Sequence, residues 1–389
     1  MKLVTVLTSE ARGGAEFAAT VMLDALAERG HECLMLTNQP EIAEGSRVAT
    51  RSIELGPKLS RRSWRSLAAG FPRHRQTLLR ALEGEAPYDV LLLHFKKEQL
   101  LCSTLPLRLR RTTAWAEWGP VPLQFRAGLP RRAYLAAARR VRLVMAISEG
   151  TRRSVVDVGV PPAKVTVVHN VVRGDELRFD ADGRERVRRE LEIPAEAFVT
   201  GCISRFHPKK RNDVVVEAVA RLNGDAHLIM AGDGETEPEL RAQAERLGVR
   251  AHFLPTPRDD VAAVLSAFDV SVFCPSPTEG APRAVIIAML AERPCVATGA
   301  EGVVDLIAPG TGEIVAPDND VGVLADSLRR YAGDPARRAE EGRRARATAL
   351  ERFDAPVVAA RVEELFAAAA TDGRMSGMHR PHPKRAHPL

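Results

Sequence analysis

Residues 270–298 read VSVFCPSPTEGAPRAVIIAMLAERPCVAT, and no other stretch restricts the fold of this 389-residue chain as much. The apolar run Val270–Cys274 has the length and composition of a buried strand, and Pro275 and Pro277 end it. Pro282 suits the first turn of a helix, which the pattern places from about Arg283 to Glu292. Pro294 stops that helix, and Val296, Ala297 and Thr298 begin another strand. Two buried strands joined by a helix must run parallel, with the helix laid over one face of their sheet. The N-terminus of such a helix can face an anion.

The same unit recurs along the chain. Strands are expected at Lys2–Leu7, Glu32–Thr37, Asp89–Phe95, Val141–Ile147 and Val165–Val168. Glu10–Glu16 reads as a glycine-containing turn and Phe17–Arg29 as a helix, while Ser148 is placed to cap a helix starting near Glu149. Residues 171–186 (VVRGDELRFDADGRER) are polar and turn-rich, and alternation resumes with Phe198–Ile203, His227–Ala231, Ala251–Leu254, Val270–Phe273 and Pro294–Thr298. The fold class is therefore α/β, with two Rossmann-like domains facing a cleft. The expected boundaries are 1–172 for the first domain, 173–186 for a linker, 187–353 for the second domain, 354–370 for a C-terminal helix and 371–389 for a disordered tail.

Charge is unevenly distributed. Up to Arg178 there are 28 Lys and Arg against 17 Asp and Glu, whereas beyond it there are 28 against 33. Arginines cluster at 61–65, 73–80 and 108–111, with Trp64 and Phe71 among them. Such a field favours an anionic partner, and the interleaved aromatics tilt it toward a membrane surface; solvated arginine faces are the bland alternative. No nucleic-acid motif accompanies the charge, so nucleic acid is not an expected partner. No apolar run of 18 residues exists and residues 1–8 read as a first strand rather than a leader, which points to a cytoplasmic chain with optional peripheral contact at the inner face of the plasma membrane. Five scattered cysteines without a C-x-x-C pair suit a reducing compartment and no metal site.

Several residues fall where strands should end, which is the edge at which parallel sheets bind ligands. Arg205 and Lys210 flank a turn after the strand 198–203, and a guanidinium fork with an ammonium suits a diphosphate. Gly13 and Gly14 follow the first strand and permit close backbone approach, but they do not form G-x-G-x-x-G, which counts against a nicotinamide dinucleotide. His94 lies at the end of the strand 89–95, and Glu279 stands at the turn before the helix of residues 283–292, where it can also serve as a cap.

In order and spacing these features resemble the family 4 retaining glycosyltransferases of the GT-B type. Further segments that match are Ala146-Ile147-Ser148-Glu149, Val168-His169-Asn170, Ala231-Gly232-Asp233-Gly234 and 299–312. The resemblance implies transfer of a hexosyl unit from a UDP- or TDP-linked sugar, without a metal or other cofactor and with retention at the anomeric carbon. It assigns Arg205 and Lys210 to the donor diphosphate and His94 and Glu279 to the donor sugar. Gly13, Gly14, Gly232, Gly280, Ala281 and Pro282 complete the donor side, and Glu117, Trp118 and Arg126 fall on the acceptor side. The C-terminal helix is implied to return to the first domain. One position departs: the family's second Glu, which accepts from ribose hydroxyls, is Ile287 here. A deoxyribose donor, weaker donor binding and a degenerate site are the three readings of that change, and Ile287 as plain core is the bland one. The acceptor is expected to be a hydroxyl of a lipid-linked glycan, a glycolipid precursor or a specialised metabolite. Two other classes stand beside the transferase: a nucleotide-sugar epimerase using Glu117 and Asp305, and a binding relative without catalysis.

Overall fold

The computed structural model describes residues 1–9, 13–59, 63–110, 112–222, 226–256, 258–277, 279–315 and 320–375. The first domain carries strands β1 (Lys2–Leu7), β2 (Glu32–Thr37), β3 (Ala49–Ser52), β4 (Val90–Leu93), β5 (Thr113–Glu117), β6 (Leu143–Ala146) and β7 (Val165–Val167). Its helices are α1 (Gly14–Glu28), α2 (Trp64–Glu85), α3 (Lys96–Ser103), α4 (Gly128–Ala138) and α5 (Glu149–Val158). The strands are all parallel, in the order β3-β2-β1-β4-β5-β6-β7. After α6 (Ala181–Glu190) comes a second parallel sheet of β8 (Val199–Ile203), β9 (His227–Ala231), β10 (Arg250–Leu254), β11 (Val270–Phe273), β12 (Cys295–Thr298) and β13 (Gly312–Val315). Its order is β10-β9-β8-β11-β12-β13. Helices α7 (Asn212–Ala220), α8 (Glu237–Arg246), α9 (Val261–Ala267), α10 (Arg283–Leu290), α11 (Val321–Gly333) and α12 (Pro335–Phe353) cover it, and α13 (Ala355–Met375) closes the described chain.

In each sheet the strand order reverses beside the first strand of its domain, between β1 and β4 and between β8 and β11. Loops on either side of such a reversal diverge, and the crevice they leave at the carboxyl ends is where a ligand can reach the sheet. Of the described residues, 8, 9, 13, 94 and 95 border the first crevice, and 204–211, 274–277 and 279–282 border the second.

The chain crosses between domains twice, side by side. Val172 N–H donates to Phe353 O at 3.0 Å, and Ala355 N–H donates to Val172 O at 2.9 Å. Beyond that point α13 lies on α1, with Val358, Ala359, Val362 and Phe366 buried in the core of the first domain. Arg29 and His31 both bridge to Glu363 of α13.

Two expectations need correction, and strands β3, β5 and β13 were not expected from the sequence. The linker expected over 173–186 is helical from Ala181: Asp180 accepts from Gly183 N–H at 2.9 Å, and Val187 and Arg188 are buried as α6 packs on α9. Tertiary packing thus overrides a polar composition. Helix α1 begins at Gly14, inside the expected turn, of which residues 10–12 lie outside the described residues. Strand β3 is exposed along its whole length, so no apolar alternation announces it. Strand β5 (TAWAE) is buried throughout, but it mixes alanine and threonine with a glutamate and carries little strand signal. The tail expected at 371–389 lies outside the described residues from 376 on, as do Arg61, Arg62 and Arg111 of the arginine clusters.

Because Phe366 is wholly buried in the first domain although it comes from the last helix, Phe366→Ala should cost about 3–5 kcal/mol. The loss should be visible as a lower urea midpoint of that domain's transition, and a midpoint equal to wild type would mean that α13 is not integral to it.

Candidate functional site

At the second crevice Lys210 and Glu279 stand on opposite sides of the strand reversal. Lys210 Nζ donates to Glu279 Oε2 at 2.9 Å and lies 5.2 Å from the centre of the Phe273 ring. Each side chain of the pair keeps about a fifth of its surface exposed (21% for both), so both remain within reach of a ligand. Arg205, at the end of β8, is exposed, and its guanidinium has no hydrogen-bond or ion-pair partner among the described residues. Left-handed Arg211 (φ 50°) ends the short 3-10 turn after Lys210 and begins α7.

The turn carrying Glu279 is pressed between the domains. A Cβ on Gly280 would lie 2.6 Å from Trp118 O, and one on Gly302 would lie 1.3 Å from Gly280 O, so neither position has room for a side chain. Asn170 Nδ2–H donates to Ala281 O at 3.0 Å from the first domain, and Pro282 occupies the N-cap position of α10 without a side-chain cap. Arg283, at the start of α10, lays its guanidinium 5.8 Å from the Phe17 ring of α1, so the N-termini of α10 and α1 approach each other. Gly14 opens α1, and a Cβ there would meet nothing within 4 Å; a Cβ on Gly13 would approach Glu16 Oε2 at 3.0 Å, the atom that accepts from Gly13 N–H. Gly232 has a different role. A Cβ on it would lie 2.0 Å from Ser204 O, so it allows the loop after β9 to pack on the loop after β8. Ile287 is part of the second domain's core, 8% exposed, beside Val285, Ile286 and Met289. Thr278, next to Glu279, lies outside the described residues.

The first crevice is organised by two buried groups. His94 is 3% exposed and hydrogen-bonded through both ring nitrogens. Trp118 Nε1–H can only donate, so Nδ1 of His94 accepts it at 3.1 Å and the ring proton sits on Nε2, pointing at Thr5 Oγ1 at 2.8 Å. Thr5 passes its own hydrogen to Leu92 O. Burial pushes the His94 pKa down to about 3, so the ring stays neutral. The expected contact with a donor hexose therefore has no free ring nitrogen to make it. The second group is Glu98, fully buried, which accepts from Thr8 N–H at 2.7 Å, Thr8 Oγ1–H at 2.6 Å and Phe95 N–H at 2.9 Å. It joins the loops after β1 and β4 across the strand reversal. The sequence reading missed it: Glu98 accepts from Phe95 N–H as the Glu of a capping box does, but Phe95 stands where the Ser or Thr that announces such a box would be.

On the acceptor side Glu117 is 4% exposed and fully engaged. Both its oxygens accept from Lys96 Nζ, and Gln99 Nε2 and Tyr134 Oη donate to Oε1 at 3.2 and 3.1 Å. Burial lowers the Lys96 pKa, with Glu117 opposing. Asp305 accepts from Glu149 N–H at 2.6 Å, at the N-terminus of α5 and across the domain boundary. Neither carboxylate is disposed as a free acid or base. Arg126 does not reach the crevice: its guanidinium is spent on Val121 O at 2.8 Å and Ser154 Oγ at 3.3 Å. A cavity of about 440 Å³ opens at the carboxyl ends of β4 and β5, with His94, Lys96, Glu117 and Trp118 in its wall. Among the described residues no three His, Cys, Asp or Glu side chains are grouped to hold a metal ion, and no helix is long and apolar enough to cross a membrane.

Two family models match the chain, one in each domain. Residues 12–175 match the model described as Glycosyltransferase Family 4, and residues 197–334 match Glycosyl transferases group 1. The 2-deoxystreptamine glucosyltransferase of Streptomyces kanamyceticus is 28% identical over 208 residues, 51% of this chain and 54% of the relative. The D-inositol 3-phosphate glycosyltransferase of Streptomyces avermitilis is 31% identical over 243 residues, 59% and 52% of the two chains. The match thus spans about half the length of each of these curated relatives. Among solved structures, Anabaena HepE in complex with UDP and glucose superposes with a TM-score of 0.78 at 22% identity, covering 95% of this chain and all of HepE. The fold class expected from the sequence is the fold these chains share.

Burial raises the Glu98 carboxyl from its ordinary 4.5 to about 7, against the pull of its three hydrogen-bond donors. The folded protein therefore holds that proton more tightly than the unfolded chain, and the contribution to stability is lost as pH rises from about 4.5 to 7. Urea midpoints across that window should fall with pH in the wild type and lose this component in Glu98→Gln; an identical slope in both would remove Glu98 as its source.

Proposed function

Because this chain belongs to the family 4-like glycosyltransferases of the GT-B fold, we propose that it moves a hexosyl unit from a nucleoside diphosphate sugar to an acceptor hydroxyl, with retention at the anomeric carbon. The observation that carries this reading is the Lys210–Glu279 pair across the second strand reversal, with Arg205 exposed on the same loop as Lys210. Two cations on one loop suit a diphosphate, and a carboxylate beside them can accept from sugar hydroxyls. The converging N-termini of α1 and α10 add a positive field at the same crevice.

In the step proposed, the bond between the anomeric carbon and the diphosphate oxygen breaks, and its electron pair leaves with the diphosphate. The acceptor oxygen bonds the anomeric carbon from the same face and passes its proton to the departing phosphate. Arg205 and Lys210 stabilise the charge that grows on the leaving group, which is the largest catalytic term open to such a site. Lys210 must then share its ammonium between Glu279 and the phosphate. Glu279, so held, orients the sugar. His94 supports this arrangement indirectly, by fixing the Trp118 indole whose backbone borders Gly280.

Ile287 supplies no acceptor for a ribose hydroxyl, which favours a TDP-linked donor, or a UDP-linked donor bound more weakly. The acceptor hydroxyl belongs on the side of His94, Glu117 and Trp118, in the cavity at the ends of β4 and β5. Glu117, neutralised by Lys96, is poorly suited to acid–base work, which disfavours the epimerase reading.

Calorimetric titration with UDP, TDP and GDP tests this. Arg205→Ala should weaken the preferred diphosphate about ten- to a hundredfold, the usual effect of losing a hydrogen bond to a charged group. Ile287→Glu should improve UDP relative to TDP. Absence of binding by any of the three nucleotides would overturn the transferase reading.

A further inference from the structure

The first domain holds a second cavity, of about 440 Å³, between α2, α3 and α4. Its walls are almost wholly apolar, built mainly by Leu67 and Phe71 of α2, Leu100 and Leu101 of α3, and Phe125. Of its few polar neighbours, Lys97 already donates Nζ to Gly56 O, and burial together with the charges of Lys97 and Arg73 holds His74 below its ordinary pKa. Leu59, Lys97, Gln124 and Phe125 border both this chamber and the polar cavity at the ends of β4 and β5, so the two adjoin. Exposed apolar side chains stand beside it among arginines: Trp64 in the chamber wall is 53% exposed with Arg65 over its ring, and Leu123 and Leu129, next in sequence to wall residues Gln124 and Pro130, are 75% and 76% exposed. Nothing in the described chain fills the chamber, and apolar surface of this size that opens to water is characteristic of a binding site.

Resting on the transferase reading above, we infer that the acceptor is amphiphilic, and that its apolar part occupies this chamber while its hydroxylated head lies in the adjoining polar cavity. Continuity with the place of the acceptor hydroxyl selects this occupant over a protein partner. In the polar cavity Lys96 and Glu117 are spent on each other and Lys97 donates Nζ to Gly56 O, while Lys58 also lines it, so hydroxyl groups of the head can find both donors and acceptors there. The chamber's limited volume further implies selection by the length of the apolar part. Ala68 of α2 and Ala133 of α4 line it and are themselves exposed, so each can be enlarged without disturbing the core.

The probe is a series of n-alkyl glucosides, butyl to dodecyl, titrated calorimetrically into the full chain below their micelle concentrations. The dissociation constant should fall about fourfold per added methylene and then level off as the chamber fills. Ala68→Phe and Ala133→Phe should each flatten that series, with UDP or TDP affinity serving as the check that the variant is folded. A wild-type series without dependence on chain length would overturn the inference. So would a dependence that survives in both variants, or binding confined to anionic phospholipid vesicles, which would indicate a membrane-docking face instead. Failure of nucleotide binding would strike the transferase reading alone, since the alkyl series is read without a nucleotide.

Discussion

Two backbone hydrogen bonds at Val172 hold the first domain's exit and the last helix's return side by side. A single crossing would leave the domains free to rotate about one strand of chain. Two crossings pinned at one residue restrict them to a hinge, and α13 extends that constraint by burying Phe366 in the first domain. The carboxyl edges of both sheets then face each other, and the groups that could touch a ligand are brought into one cleft. Where the domains meet, the absence of a side chain at Gly280 and Gly302 sets how closely the Glu279 turn approaches Trp118. Further contacts across the cleft run through Asn170 to Ala281 and Asp305 to Glu149, polar links of the kind that can break and reform as domains close on a ligand.

Around this cleft the buried ionisable groups and the accessible ones divide the work. His94, Glu98 and Glu117 are buried and Lys96 nearly so, and every one is satisfied by protein atoms, as groups out of water must be. They hold loops. Glu98 binds the β1 loop to the β4 loop, and His94 aligns Trp118. Arg205, Lys210 and Glu279 remain partly or wholly exposed, so a ligand could reach them. Such a division gives a rigid surround with a few responsive charges, which is what preorganised stabilisation of a leaving group requires.

Much of the frame was legible in the chain itself. Continuous apolar runs such as Val90–Leu93 and Val270–Phe273 read as parallel strands because burial on both faces leaves no alternation to confuse with anything else. Ser148 read as a helix cap and accepts from Thr151 N–H at 3.1 Å. Elements whose stability comes from neighbours were illegible. Strand β3 is an exposed edge, and α6 is mostly charged yet held by α9. At the candidate site, the placement of Glu279, Arg205 and Lys210 beyond strand ends could be read from position. Glu98 could not, since its partners are 90 residues away at Thr8.

The sequence by itself determined the parallel architecture, the division into two domains and the residues that strand ends would present, because periodicity and chain breakers act over short distances. Only the tertiary structure decided which of those residues are free. It pairs Lys210 with Glu279, withdraws His94 and Glu117 into hydrogen-bonded networks, and places Ile287 in the core. It alone set the apolar chamber between α2, α3 and α4 beside the polar cavity. Partnership and cavity shape depend on groups far apart in the chain, and the packing of the whole brings them within a few ångströms of each other.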